Sequence, residues 1–251
     1  MLAIFHKAFA HPPEELNSPA SYKGSKKPKL PEETLREFLS HHPHNTCSMS
    51  FGQASVLAYV RPDNPFSVHQ RLFCGVDDIY CLFLGSLNNL SVLNKQYGLS
   101  KGTDEAMFVI EAYKTLRDRG PYPADQVVKE LDGSFAFVVY DSKIGTVFAA
   151  LGSDGGVKLY WGIAADGSVV ISDDLDVVKE GCAKSFAPFP TEKQNIHRTF
   201  NPTRTSQAAS FLPNLPQVAI SFQAFSQDTI VCSFLGIQHL GSGLFSRMDA
   251  K

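Results

Sequence analysis

The chain has 251 residues, enough for one large domain or two small ones. A hydrophobic share of 43% and a charged share of 19% are typical of a globular protein, and the net charge of -2 argues against nucleic acid or an anionic membrane as partner. Five scattered cysteines without a CxxC pair favour free thiols in a reducing compartment over a disulfide framework or a zinc site. With no secretory leader pattern and no apolar run near the roughly 20 residues that span a bilayer, we expect a cytoplasmic protein, with the nucleus as alternative.

Hydrophobic periodicity and turn residues predict a series of short elements in the first half of the chain. In order they are a strand within 1–10, a Pro-, Ser- and Lys-rich loop over 11–31, a helix over 32–39, a surface loop at 46–48, strands at 55–60 and 79–84, and helices over 87–97, 103–119 and 126–131. Pro31 suits the start of the first helix, and Gly98 suits the end of the second. Thr103 is expected to cap the third helix, with Asp104 and Glu105 near the positive end of its dipole.

A β-hairpin with buried strands is predicted over 131–151. An Asp132-Gly133 turn signal opens the first apolar run, and a second run follows over 146–151. Two further strands, over 158–163 and 169–172, are joined by an Asp166-Gly167 turn. A few helices among many antiparallel strands predict an α+β layered fold.

Several motifs occur in a specific order within the first 190 residues: Gly102-Thr103-Asp104, LDGSFAF at 131–137, LYWG at 159–162 and ISDDL at 171–175. Together they resemble the amidotransferase domain of asparagine synthetase, a class II glutamine amidotransferase. The YGL at 97–99 and the LRDR at 116–119 match the two signatures of the plant aluminium-induced, or stem-specific, proteins. The resemblance implies the αββα sandwich of the N-terminal-nucleophile hydrolases over residues 1–190, with its completeness at the C-terminus left open.

The resemblance also implies a mechanism that this chain lacks the residues to perform. In the family, an N-terminal Cys attacks the glutamine side-chain amide and its own α-amine acts as base. The family opening Met-Cys-Gly-Ile-Phe corresponds to MLAIF, which places Leu2 at the nucleophile position. The Asn-Gly pair of the oxyanion hole corresponds to Leu84 and Gly85, so the glycine is kept and the amide donor is lost. We therefore expect no catalytic residues.

Groups that hold the substrate are better matched. Arg61 corresponds to the Arg that binds the substrate carboxylate, and Asp104 to the Asp that binds its amine. With Gly85, they imply a vestigial site for a glutamine-like amino acid, with no cofactor and no metal. Each has an ordinary alternative: a solvated arginine, a first-turn helix aspartate and a turn glycine. Histidines occur at positions 41, 42, 44 and 69, and their spacing fits no standard zinc site.

Three functional hypotheses remain open. The favoured one is a non-catalytic amidotransferase-like plant protein, responsive to stress or growth, that binds an amino acid or a protein partner, a second copy included. The alternative is an active glutamine amidohydrolase with another nucleophile, for instance one exposed by processing near Cys47. The third is a purely structural or interaction protein without a small ligand.

Residues 191–251 are predicted to be a separate, unrecognised tail. The relatives continue with further strands, whereas this segment is rich in Ser, Gln and Phe. We hypothesise an altered reading frame or a splice form. The apolar run 218–222 could form a strand, and without such a replacement a sheet edge would be left open to association.

Overall fold

The computed structural model describes residues 1–8, 10, 27–61, 70–119 and 130–189, together with the backbone of two short strands further on. The elements are β1 (Leu2–Phe5), α1 (Pro31–His41), β2 (Thr46–Ser50), β3 (Ser55–Val60), β4 (Gln70–Val76), β5 (Ile79–Leu87), α2 (Leu90–Gln96), α3 (Glu105–Arg119), β6 (Gly133–Asp141), β7 (Thr146–Gly152), β8 (Tyr160–Ile163), β9 (Val169–Ser172), α4 (Leu175–Cys182), β10 (Phe186–Pro188), β11 (Gln217–Ser221) and β12 (Phe234–Leu235).

The strands form two antiparallel sheets that pack face to face. The first has the order β10-β8-β9-β1-β3-β2, and the second has the order β11-β7-β6-β5-β4, with β12 also paired to β7. One apolar cluster joins the inner faces of both sheets. Helix α3 covers the outer face of the second sheet, while α1 and α4 cover the outer face of the first. The predicted α+β class and the αββα sandwich architecture are confirmed.

Strand β1 lies in the middle of the first sheet, between β3 and β9. Leu2 is opposite Ala58 on one side and Ser172 on the other. Because side chains alternate along a strand, Ala3 and Phe5 enter the core between the sheets, whereas Leu2 and Ile4 belong to the cluster beneath the helices. All four residues of β1 are therefore buried.

Several predicted elements need correction. The loop predicted at 46–48 is wrong, because these residues begin β2, an edge strand whose mostly exposed side chains hide the usual alternation. The strand predicted at 79–84 extends to Leu87, and the following helix begins only at Leu90. Residues 126–129 of a predicted helix lie outside the described residues, and 130–131 are not helical. Strands β4 and β10 and helix α4 were not predicted.

A strand from the tail covers one edge of the second sheet. Residues of β11 pair with β7, from Gln217 opposite Gly152 to Ser221 opposite Phe148. The strand predicted at 218–222 is thus confirmed over 218–221, and residue 222 lies outside the described residues. The separate origin of the tail stays a prediction. Every helix in the described part of the chain is too short or too polar to cross a lipid bilayer.

Candidate ligand site and amino-terminal anchor

Leu2 occupies the position where the resemblance expects a nucleophile. Its side chain is completely buried and belongs to an apolar cluster with Phe38 of α1 and Val178 of α4. The neighbouring Met1 side chain instead enters the core between the sheets, where Leu84 also lies. Apolar side chains therefore occupy both positions at which the resemblance expects catalytic polar groups.

The α-amine of Met1 forms a buried ion pair with Asp173, which follows β9. The Met1 side chain is 2% exposed, and the Asp173 side chain is 8% exposed. The other Asp173 oxygen accepts hydrogen bonds from Arg71 of β4, at 2.8 Å from Nη2 and 3.3 Å from Nε. The Ser172 hydroxyl donates to the Met1 carbonyl oxygen at 2.7 Å. These contacts anchor the amino terminus of β1 to both sheets.

Burial and charge act differently on the two members of this pair. Burial lowers the pKa of the Met1 amine, and the carboxylate of Asp173 opposes that shift. Burial alone would raise the pKa of Asp173, but the charges of the Met1 amine and Arg71 outweigh it and leave that pKa below its ordinary value. The carboxylate of Asp173 is therefore ionised at neutral pH, and it lies between the Met1 amine and the Arg71 guanidinium.

Gly85 is required by the backbone of β5. Its φ of +104° lies in the region that favours glycine, and an added Cβ would lie 2.0 Å from the carbonyl oxygen of Ser134. Both constraints come from the pairing of β5 with β6, where Gly85 is opposite Phe135. Backbone geometry thus accounts for a glycine at position 85, and the oxyanion role of Gly85 stays a prediction.

Asp104 caps helix α3. Its Oδ1 accepts the Met107 backbone N–H at 2.8 Å, and its carbonyl oxygen accepts the Phe108 N–H at 2.9 Å. The predicted cap Thr103 lies one residue too early, and its hydroxyl pairs with that of Ser100 at 3.0 Å. The Asp104 side chain is exposed, so the capping role leaves it accessible to a ligand.

Arg61 lies just after β3, and its backbone N–H donates to the carbonyl oxygen of Asn45 at 2.7 Å. Its side chain is exposed. The described residues contain no hydrogen bond or ion pair between Arg61 and Asp104. A joint amino-acid site built from these two side chains therefore stays a prediction.

A cavity in the described part of the chain lies between α1 and α4. Thr34, Phe38 and Val177 form part of its wall, with the carboxylates of Glu37 and Glu180. Leu2, Arg61, Leu84, Gly85 and Asp104 are not among its lining residues. Lys29 forms ion pairs with both carboxylates, so their charge is partly neutralised.

The YGL signature forms the end of α2. Gly98 has a φ of +70°, which a helix-terminating residue needs and glycine supplies without strain. The Leu99 N–H donates to the Asn94 carbonyl oxygen at 2.7 Å. The Tyr97 ring packs edge-on against Phe108, with ring centroids 5.2 Å apart. This signature joins α2 to α3 and has no evident chemical role.

The LRDR signature contributes an arginine that forms an ion pair with a buried carboxylate. Arg117 Nη1 lies 2.8 Å from Asp141 Oδ2 at the end of β6, and the Asp141 side chain is completely buried. The other Asp141 oxygen accepts the backbone N–H groups of Lys143 and Ile144 at 3.2 Å each. Burial, together with the charge of Asp141, raises the pKa of the nearby Tyr113 phenol. The signature thus ties α3 to the β6–β7 turn.

Two other sequence hypotheses concern metals and processing. Among the described residues, no three His, Cys, Asp or Glu side chains converge to hold a metal ion, and His69 lies outside them. Cys47 lies on β2, opposite Tyr59. Cleavage before Cys47 would detach β1 from the chain, although β1 is central to the first sheet. A new amino terminus at Cys47 would therefore need β1 to stay bound without a covalent link.

Comparison with known proteins places this chain in a family. A family model described as "Aluminium induced protein" matches residues 2–199. The stem-specific protein TSJT1 of Nicotiana tabacum is 41% identical over 157 residues, which cover 60% of this chain and 99% of that protein.

Weaker matches occur to longer proteins. The asparagine synthetase (glutamine-hydrolyzing) of Triphysaria versicolor is 28% identical over 199 residues, which cover 75% of this chain but 31% of that synthetase. A solved glutamine phosphoribosylpyrophosphate amidotransferase from B. subtilis aligns with a TM-score of 0.36 and 17% identity over 50% of this chain and 29% of that one. The chain therefore spans less than a third of these longer enzymes.

Proposed function

The chain belongs to the aluminium-induced protein family, and from this premise we propose that it is a glutamine amidotransferase-like protein without amidotransferase activity. The observation that carries the proposal is the complete burial of Leu2 at the nucleophile position. Neither the Leu2 side chain nor the Met1 thioether can form an acyl intermediate and release it. With Leu84 at the oxyanion position, the amide donor is missing as well.

A direct assay tests this proposal. Full-length protein incubated with glutamine should release no glutamate or ammonia above a heat-denatured control, and its intact mass should show an unprocessed chain. Sustained release of both products by an unprocessed chain would overturn the proposal. Release by a truncated chain that is abolished by Cys47→Ser would instead establish the processed amidohydrolase.

We propose further that the protein works by binding, with a glutamine-like amino acid held through Arg61 and Asp104. Support comes from the exposure of both side chains and from the capping geometry of Asp104. Because Asn caps helices as well as Asp does, Asp104→Asn removes the charge and leaves the hydrogen bond to Met107 in place. This substitution separates ligand binding from helix stability.

Calorimetry with glutamine and glutamate provides the test. We expect binding to the native chain and a loss of at least about tenfold in affinity, or about 1.4 kcal/mol, in Asp104→Asn at unchanged thermal stability. Absence of binding would favour a protein partner and no amino-acid ligand, whereas equal binding by the variant would overturn the role of Asp104 in the site. We also propose that the protein acts in stress or growth and is located in the cytoplasm. A fluorescent fusion at the C-terminus tests the location.

A further inference from the structure

A tight turn fixes two cysteines opposite each other on the β4–β5 hairpin. The two turn residues, Asp77 and Asp78, have φ values of 51° and 66°, as a two-residue type I′ turn requires. The resulting register places Cys74 directly opposite Cys81. Directly opposed residues have their Cβ atoms about 4.5–5.5 Å apart, so the two thiols are neighbours on one face of the hairpin.

A third sulfur lies on the helix that packs against this face. Met107 is in the first turn of α3, and its Sδ is 4.0 Å from Cys74 Sγ. The Asp104 cap holds that turn through the Met107 N–H. Both cysteines belong to the apolar cluster beneath α3, with Cys81 fully buried and Cys74 partly exposed. The three sulfur-bearing residues therefore lie where β4, β5 and α3 converge, and Cys74 is partly exposed to solvent.

The separation between the sulfurs of Cys74 and Met107 suits two ligands of one metal ion. A metal–sulfur bond of about 2.3 Å in a trigonal arrangement places the sulfurs about 4.0 Å apart, which is the separation between Cys74 and Met107. Thiolate and thioether ligands are soft and select copper(I) among the common biological metals. The site differs from a standard zinc site, because it has two cysteines and a thioether and no histidine.

We propose that Cys74, Cys81 and Met107 form a binding site for copper(I). One ion replaces the two thiol protons, which are released to solvent, and forms two metal–thiolate bonds and one bond to the thioether. No change in oxidation state is involved. The proposal is independent of amino-acid binding, since the sulfurs lie on the inner side of α3 and the Asp104 side chain is exposed.

The test uses the full chain carrying Cys47→Ser and Cys232→Ser, which removes a thiol exposed on β2 and one from the tail. Copper(I) is supplied without oxygen, in competition with a chromogenic chelator. We expect one copper(I) per chain, with affinity reduced at least about tenfold by Cys74→Ser and also reduced by Met107→Leu. X-ray absorption should show three sulfur neighbours at about 2.3 Å.

Controls separate copper binding from folding. Met107→Leu conserves volume, so its circular dichroism should match that of the parent chain. Cys182→Ser, at the buried last residue of α4, should leave copper affinity unchanged. A parent chain that binds no stoichiometric copper, or copper binding that survives either Cys74→Ser or Met107→Leu, would overturn the site.

Discussion

Removing the guanidinium of Arg117 should destabilise the protein, because it leaves the buried carboxylate of Asp141 without its cation. Breaking a buried pair by removing one partner typically costs about 3–5 kcal/mol. Arg117 is 28% exposed, and Asp141 keeps two backbone N–H donors, from Lys143 and Ile144. Both features reduce the cost, so for Arg117→Met we expect a loss of about 2–3 kcal/mol in the free energy of unfolding.

Urea unfolding measures this loss. With a denaturant dependence of about 2–3 kcal/mol/M, the midpoint should fall by about 1 M at an unchanged slope. Fluorescence and circular dichroism should give coincident transitions, which justifies a two-state treatment. The matched control is Lys114→Met, one turn earlier on α3, where the ion pair with Asp77 is largely exposed and its loss should move the midpoint little.

A double-mutant cycle identifies the source of the effect. Asp141→Asn alone should also destabilise, and the double variant Arg117→Met/Asp141→Asn should cost less than the sum of the single changes, because the unpaired buried charge is gone. The reasoning is refuted if Arg117→Met shifts the midpoint no more than Lys114→Met does, or if the two single effects simply add.

The remaining predictions concern a glycine, an ion pair and the tail. Gly85→Ala should lower the free energy of unfolding by about 3 kcal/mol, because the new Cβ meets the Ser134 carbonyl oxygen, whereas Gly102→Ala, with open space around it, should be neutral or slightly stabilising in the same thermal melts. Asp173→Asn should cost about 3 kcal/mol at neutral pH. The pKa of Asp173 is lower in the folded protein than its ordinary value of 3.8, so its contribution to the free energy of unfolding is present above that value and is lost as the pH falls through the folded pKa. The difference in stability between wild type and variant should therefore disappear in acid. A difference that is constant with pH would contradict this reasoning. Truncation after residue 190 removes β11 and should expose the edge of β7, so light scattering should detect self-association that the full chain lacks.

The layered fold was predictable from sequence because its strands carry strong apolar runs and its turns carry Gly and Asp. The β6–β7 hairpin is the clearest case, with two apolar runs separated by a polar turn. Strand β2 was missed because most of its side chains are exposed and give no alternation. The cap of α3 was placed one residue early, since Thr103 and Asp104 are both good capping residues and only backbone geometry selects between them.

The contacts of the site were less predictable than the fold. The LRDR signature is visible in the sequence, but its partner Asp141 is identified only when α3 packs near the end of β6. Cys74 and Cys81 are seven positions apart without a metal-binding spacing, and only the register of the β4–β5 hairpin makes them neighbours. No sequence pattern marks Met107 as a ligand, because a methionine on the inner side of a helix is usually an ordinary core residue.

The central position of β1 has a consequence for how the protein is made. Its residues are synthesised well before β9, yet the Met1 amine pairs with Asp173, 172 positions later. The first sheet cannot close around β1 until β9 has been synthesised, so the edge of β1 that pairs with β9 waits without its partner even when β3 covers the other edge. Contacts of such long sequence separation slow folding. We therefore expect the nascent chain to depend on chaperones, and substitutions in β1 to reduce its cellular yield more than their effect on the stability of the finished protein would suggest.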